Sequence, residues 1–239
     1  EGKIIALSGG IQTIPLAEEN LGEYAEHSCN CHEHEHEHEH KETGHKEDVK
    51  NDHKQDEHGH THEAGSADPH IWMDPANMKK MAENARDALA SAKPEMKAVF
   101  TANCDAYLKQ LDQLDQQYKE TLDKFKVKNF ITFHSFLGYT AKRYGMNQVA
   151  VIAADPGKEP DPQHLIDSIE LLKKHGVRVV FAEPQFSTKA SETIAREIHG
   201  KVVNVDPMGS LNDTHRDTYI KNMEENLKSL AEAFKTTNE

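Results

Sequence analysis

Apolar positions fall into three regimes along the chain. Lys3-Ile4-Ile5-Ala6-Leu7 is a short apolar run closed by Ser8-Gly9-Gly10, which predicts a buried strand ending in a turn. From 23 to 67 no apolar residue recurs with a helix or strand period. Order returns at Asp68-Pro69-His70-Ile71-Trp72-Met73-Asp74-Pro75, where two prolines fix their own φ and hold Asp68 and Asp74 extended. Asp74 followed by Pro75 predicts a helix N-cap with proline at the first helical position. The helix runs to about Ser91, with Met78, Met81, Ala82, Ala85 and Leu89 on one stripe. Beyond Pro94, the series Phe100, Cys104, Tyr107, Leu111, Leu114, Tyr118, Phe125 predicts one helix over 95–125. At about 1.5 Å per residue it spans roughly 45 Å. Its stripe suits a coiled-coil seam or a rigid connecting helix packed along the protein; with only about four heptads, the second is preferred.

From 129 the rhythm changes. Short β-rich runs at 130–133, 149–152, 177–182 and 201–205 alternate with helical patterns at 136–144, 162–175 and 188–199, and a last amphipathic helix covers 214–234. His175-Gly176 and His199-Gly200 read as helix ends with glycine in the left-handed position. Strand–helix alternation with right-handed crossovers predicts an α/β fold, a parallel sheet covered by helices on both faces.

Composition sharpens the picture. A length of 239 residues allows one large domain or two modest ones. The net charge of −13 leaves no basic patch to neutralise phosphates, which excludes nucleic acid as a partner and raises the local concentration of cations. Mean hydropathy of −0.80 is low, but 28–67 biases it, being nearly devoid of large apolar residues. No apolar run approaches the roughly 18–20 residues needed to cross a bilayer. Glu1-Gly2-Lys3 leads straight into the first apolar run without a signal peptide, which fits a cytosolic chain, a processed exported one or a truncated one. Three cysteines make no disulfide framework. Cys29 and Cys31 are too close for an unstrained bridge and read equally as exposed thiols or, beside His27 and His32, as part of a metal cluster. Cys104 lies in a helical stripe as a small packed residue.

Candidate chemistry centres on histidine. The run His27 to His62 holds 11 of the 17 histidines, with a strict alternation from His32 through His34, His36 and His38 to His40, and later His58, His60 and His62. Neutral imidazole suits zinc, copper and nickel. Alternating His-Glu also looks like an affinity tag, but tags sit at termini and this run lies between ordered-looking segments. The run lacks a frame to fix geometry; His70, in the rigid Pro-bounded segment, has one. Open parallel sheets bind ligands at the carboxyl ends of their strands. That rule selects His134, Glu183 and Asp206, and the Asp155-Pro156-Gly157 stretch, at one rim. Taken singly, His134 reads as a hydrogen-bonded loop residue, Asp206-Pro207 as a turn, and Glu183 as a hydrogen-bonding strand end. Their convergence on one rim favours a metal site, with His70 as the donor from a facing surface. His164, His175, His199 and His215 read as surface or cap residues. A nucleophile elbow, Walker loop, HExxH or paired CxxC is absent from the sequence, so the common hydrolase, nucleotide and zinc-finger readings lack support.

Four motifs in order carry a family resemblance: Asp68 to Pro75; Thr132-Phe133-His134-Ser135-Phe136-Leu137-Gly138-Tyr139; Pro160-Asp161-Pro162 with Phe181-Ala182-Glu183-Pro184-Gln185; and Asn204-Val205-Asp206-Pro207. Together they resemble the metal-binding solute-binding proteins of bacterial ABC importers, most closely the zinc members, in which an acidic His-rich loop precedes the first motif. The match covers 1–14 and 68–234.

The resemblance implies two α/β lobes joined by a long rigid helix. It divides the chain into an amino-lobe remnant at 1–22, a His-rich loop at 23–67, the rest of that lobe at 68–94, the connecting helix at 95–126 and the carboxyl lobe at 127–239. It implies His70 and His134 as metal ligands, Asp206 as a fourth ligand or near neighbour, and Glu183 as a supporting residue. In the manganese members a glutamate stands at the position of His134; imidazole favours zinc. Most of the amino-terminal lobe, with one further histidine ligand, precedes the strand resembling 3–7 in the family and is missing here, so the site is expected to have an open side and reduced affinity.

The resulting expectation is capture of Zn2+ without chemistry on it. Delivery goes to an ABC permease in the cytoplasmic membrane, by a monomer that is periplasmic or membrane-anchored and extracytoplasmic. The histidines of the run act as weak accessory sites that release metal on protonation near about pH 6. Rivals are a manganese-specific relative, a zinc buffer or adhesin-like surface protein without transport, and a zinc hydrolase using Glu183 as general base.

Overall fold

The computed structural model describes residues 4–16, 66–153 and 160–238. The run with His32, His34, His36, His38, His40, His58, His60 and His62, the cysteines Cys29 and Cys31, and Asp155-Pro156-Gly157 lie outside the described residues.

A 3-10 turn, Ile71–Met73, leads into α1, Pro75–Ala92, and a second turn, Pro94–Met96, into α2, Lys97–Leu122. The N-cap is the one anticipated: the Asp74 carboxylate accepts from Ala76 N at 2.8 Å, with Pro75 at the first position. The 26 residues of α2 make a rod of roughly 39 Å. The alternating part follows as β1 Asn129–Thr132, α3 Gly138–Tyr144, β2 Asn147–Val151, α4 Pro162–Lys174, β3 Val179–Ala182, α5 Lys189–Glu197, β4 Lys201–Asn204 and α6 Tyr219–Asn238. All four strands are parallel, in the order β2-β1-β3-β4. The chain therefore starts in the middle of the sheet, adds β2 on one side, and crosses to add β3 and β4 on the other.

Side-chain alternation divides the sheet between two cores. Phe130, Val179 and Phe181 face α2, α3 and α6, meeting Leu114, Tyr118, Leu137 and Phe234. Ile131 and Val180 face α4 and α5, meeting Leu172, Ile194 and Ile198. Phe130 and Phe181 pack at 5.3 Å between ring centroids, and Phe234 closes on Phe181 at 5.9 Å. Tyr118, fully buried, donates its hydroxyl to Met223 O at 2.7 Å and so ties α2 to α6. A charged knot adds to this packing. Arg143 on α3 pairs with Asp115 on α2 at 2.6 Å and with the α1 cap Asp74 at 3.2 Å, while the Tyr144 hydroxyl donates to Asp115 at 2.8 Å.

Three expectations need correction. Residues 4–6 form no strand, residues 7–10 are a turn, and Ile4 is fully exposed. A strand needs a hydrogen-bonded neighbour, and among the described residues no sheet edge lies beside this run; Asn84 on α1 instead donates to Leu7 O at 2.7 Å and Gly9 O at 2.8 Å. The α1 stripe is only half covered: Leu89 is 50% exposed and borders a cavity with Phe100 and the buried thiol of Cys104. At the end of α5 it is His199, with φ of 51°, that takes the left-handed conformation. Gly200 is required for a different reason, since a Cβ there would stand 2.3 Å from Arg178 O, which lies just before the neighbouring β3. Gly176, with φ of 61°, does follow the expected pattern and has open space around it.

The described segments on either side of the His-rich run meet. Pro15 and Ala67 form an isolated antiparallel bridge, flanked by Leu16 N to Ser66 O at 2.9 Å and Asp68 N to Ile14 O at 2.8 Å.

Two outcomes are expected in urea unfolding. Gly200→Ala forces backbone apart and costs about 3 kcal/mol or more, the upper end for overpacking, whereas Gly176→Ala costs only the left-handed penalty of about 1–2 kcal/mol. Equal costs would contradict the close-approach reading. Asp115→Asn costs about 1 kcal/mol at neutral pH, a charged hydrogen bond discounted for partial exposure. Burial pushes the Asp115 carboxyl up, but hydrogen bonds from Arg143 and Tyr144 and the nearby positive charges outweigh it and hold it below its ordinary value. Its contribution is therefore present above the unfolded value of about 3.9 and fades as pH falls through the lower folded value. The wild-type advantage over Asp115→Asn should shrink below about pH 4.

Candidate metal centre

The order β2-β1-β3-β4 places a switch point between β1 and β3, where successive connections leave in opposite directions, the kind of place where open parallel sheets bind ligands at their carboxyl ends. His134 follows β1 and Glu183 follows β3. Neighbouring strands bring them together: Phe133 N donates to Phe181 O at 3.0 Å, and His134 Nδ1 lies 2.8 Å from Glu183 Oε1. Both side chains are buried. A carboxylate only accepts, so Nδ1 carries a proton, and in the neutral ring Nε2 then keeps its lone pair.

His70 is held the same way from the other side. Asp68 Oδ1 accepts from His70 N at 2.8 Å and from His70 Nδ1 at 2.7 Å. Pro69 between them keeps the turn tight. The two imidazoles meet edge to face, 4.9 Å between ring centres at 71°. Trp72 packs on His70 at 5.4 Å and Phe136 stacks on His134 at 6.2 Å. Two buried rings, each with a carboxylate on Nδ1, thus stand together in an apolar surround. A carboxylate behind an imidazole is the common arrangement behind a metal-bound histidine, because it fixes the ring and raises its basicity.

Asp206 is placed differently. It follows β4, one strand farther from the switch point. Its Oδ1 accepts from Gln185 Nε2 at 2.7 Å, Met208 N at 2.9 Å and Gly209 N at 3.0 Å. Its carbonyl accepts from Asn222 and Asn226 at 2.8 Å and 2.7 Å. These bonds fix the Asp206-Pro207 turn, which joins the His70 segment through Trp72 Nε1 to Pro207 O at 2.9 Å and Tyr219 OH to Trp72 O at 2.8 Å. Among the described residues, no three His, Cys, Asp or Glu side chains converge closely enough to enclose a metal ion. The structure therefore brings His70 and His134 together with Asp68 and Glu183, and leaves Asp206 outside that pair. His164 donates from Nε2 to Val151 O at 3.0 Å, and His175 caps α4; neither joins the centre.

Sequence reading missed the part played by Asp68. Its signal was available: Asp-Pro-His is a side-chain turn in which the first residue bonds the backbone two positions on. Gln185 carried no comparable signal.

The family model for zinc-uptake complex component A, periplasmic (ZnuA), matches residues 3–233. The zinc-binding lipoprotein AdcA of Streptococcus pneumoniae is 36% identical over 189 residues, 77% of this chain and 37% of the relative. The chain thus spans little more than a third of the length of that relative. Among solved structures, ZnuA superposes with a TM-score of 0.62 at 34% identity, over 70% of this chain and 62% of the other. The Zn(II)-bound ZnuA-like domain of Streptococcus pneumoniae AdcA gives 0.60 at 32% identity, over 70% and 64%. With its paired histidines at the switch point of a parallel sheet and nearly its whole length matched, the chain belongs to the ZnuA family of periplasmic zinc-uptake components.

Proposed function

We propose that this protein captures zinc outside the cytoplasm and hands it to an ABC-type permease in the membrane. The observation that carries the reading is the histidine pair: two buried imidazoles, 4.9 Å between ring centres, each held by a carboxylate through Nδ1 so that Nε2 is open. Zinc is cargo here, with nothing done to it beyond binding and release. Two neutral nitrogens suit a borderline ion such as zinc better than manganese, which prefers oxygen. The relatives named for zinc support the same choice.

Zinc takes four ligands. Asp206 is the proposed third: its Oδ2 makes no hydrogen bond among the described residues, and its turn is tied to Trp72, two residues from His70. A modest approach of this turn would present that oxygen to the ion. Glu183 acts on His134 from behind, which leaves its Oε1 engaged and argues against a general base. The His-rich run serves as a collector of weak sites. The bridge between Pro15 and Ala67 supports this by setting the described residues on either side of the run close to His70.

Calorimetric titration with zinc, using a competing chelator, tests the site. His70→Ala and His134→Ala should each weaken the tightest site by more than the about 10–100-fold typical of losing a residue behind a ligand, while the weaker sites of the run remain. A tight isotherm unchanged by His134→Ala would sink the reading. Excess manganese should fail to displace zinc. Deleting 28–66 should remove weak sites and slow uptake at limiting zinc while the tight site persists; unchanged stoichiometry and uptake would make the run dispensable.

A further inference from the structure

We infer that Asp68 is a dedicated positioning residue for His70, and that Gly138 is glycine in order to seat it. This rests on the proposed role of His70 in holding metal. The carboxylate of Asp68 is almost completely buried, at 1% exposure. Both donors to its Oδ1 come from one residue, the backbone and the ring of His70. Among the described residues its Oδ2 is buried without a hydrogen-bond partner. A buried carboxylate with one oxygen unpaired costs the fold stability, so packing alone gives no reason for it. What it does supply is a proton acceptor fixed on Nδ1 of one particular imidazole.

The seat around it is built from separate parts of the chain. Asp68 N donates to Ile14 O at 2.8 Å, and the Tyr139 hydroxyl donates to Asp68 O at 2.9 Å while accepting from Ile14 N at 3.3 Å. Thr140 Oγ1 donates to Met73 O at 2.7 Å and holds the far end of the same segment. At Gly138 a Cβ would lie 2.7 Å from Asp68 Oδ2 and 3.1 Å from Ile14 Cδ1. Any side chain there would press on the carboxylate. Gly138 itself lies four residues after His134. The seat that orients His70 is thus carried by the segment that carries His134, and the two rings are positioned as a unit before any ion arrives. Preorganisation of this kind removes the ordering cost from binding.

The ring tautomer in the metal-free full chain is the direct readout, measured by 15N NMR of the imidazoles. Without Asp68 the His70 ring is free to carry its proton on Nε2, the atom that must meet the ion. In Asp68→Ala the Nδ1-protonated signature of His70 should be lost while that of His134 stays. Glu183→Ala should do the reverse. Asp68→Asn retains an acceptor and should keep the tautomer. Zinc affinity at the tight site should fall about 10–100-fold in Asp68→Ala and less in Asp68→Asn. Gly138→Ala should weaken zinc binding in the native background and weaken it less in Asp68→Ala, where its closest clash, with the carboxylate, is gone. The proposal is overturned if His70 stays Nδ1-protonated in Asp68→Ala, or if the His134 ring shifts with it, which would mark a collapsed seat. An unmutated chain with Nδ1-protonated His70 but no tight zinc site would overturn the metal reading and leave the positioning intact.

Discussion

Two imidazoles can face the same ion only if each keeps its proton on the far nitrogen. In the proposed site that requirement would be met by two carboxylate–imidazole hydrogen bonds of 2.7 Å and 2.8 Å, Asp68 on His70 and Glu183 on His134. Each bond depends on a different feature of the chain. Asp68 reaches His70 by a local turn two residues long, whereas Glu183 reaches His134 only because β1 and β3 are neighbours in the sheet. Breaking either bond frees a ring to present the wrong nitrogen, and the rest of the architecture bears on the site mainly by protecting these two contacts.

The layered core explains how they are protected. Phe130, Phe181 and Phe234 fix β1 and β3 against α6, so the strand ends that launch His134 and Glu183 have little freedom. The knot of Arg143 with Asp115 and Asp74 holds α1, α2 and α3 together at the base of the segment bearing His70. Burial pushes the Asp74 carboxyl up while Arg143 and the Ala76 amide pull it down, and burial wins. The cap of α1 is thus maintained at some electrostatic cost, offset by a fixed exit from the His70 turn.

Much of the fold was legible in the residues. The four strands, the long helix and the cap at Asp74 follow from periodicity and from proline and aspartate chemistry, which act locally. What failed was what depends on neighbours. Ile4 and Ile5 look like a buried strand, but burial needs a partner surface, and none lies beside them among the described residues. His199-Gly200 has the spelling of a glycine-capped helix, yet the constraint on Gly200 is the Arg178 carbonyl beside it at the start of the neighbouring strand, which no local pattern records. The site shows the same division. His70, His134, Glu183 and Asp206 stand out as candidates because they end strands or sit between prolines. That Asp206 spends one oxygen on Gln185 is a fact of three-dimensional packing, whereas the bond from the Asp68 carboxylate to His70 is a local turn that Asp-Pro-His spells and the reading passed over.

The most direct test is the position of the ion itself. Crystals of the chain grown with one equivalent of zinc, examined by anomalous scattering at the zinc edge, should show a peak within about 2.0–2.1 Å of Nε2 on both His70 and His134. A zinc peak bound by only one of these nitrogens, by neither, or through Nδ1 would contradict the account.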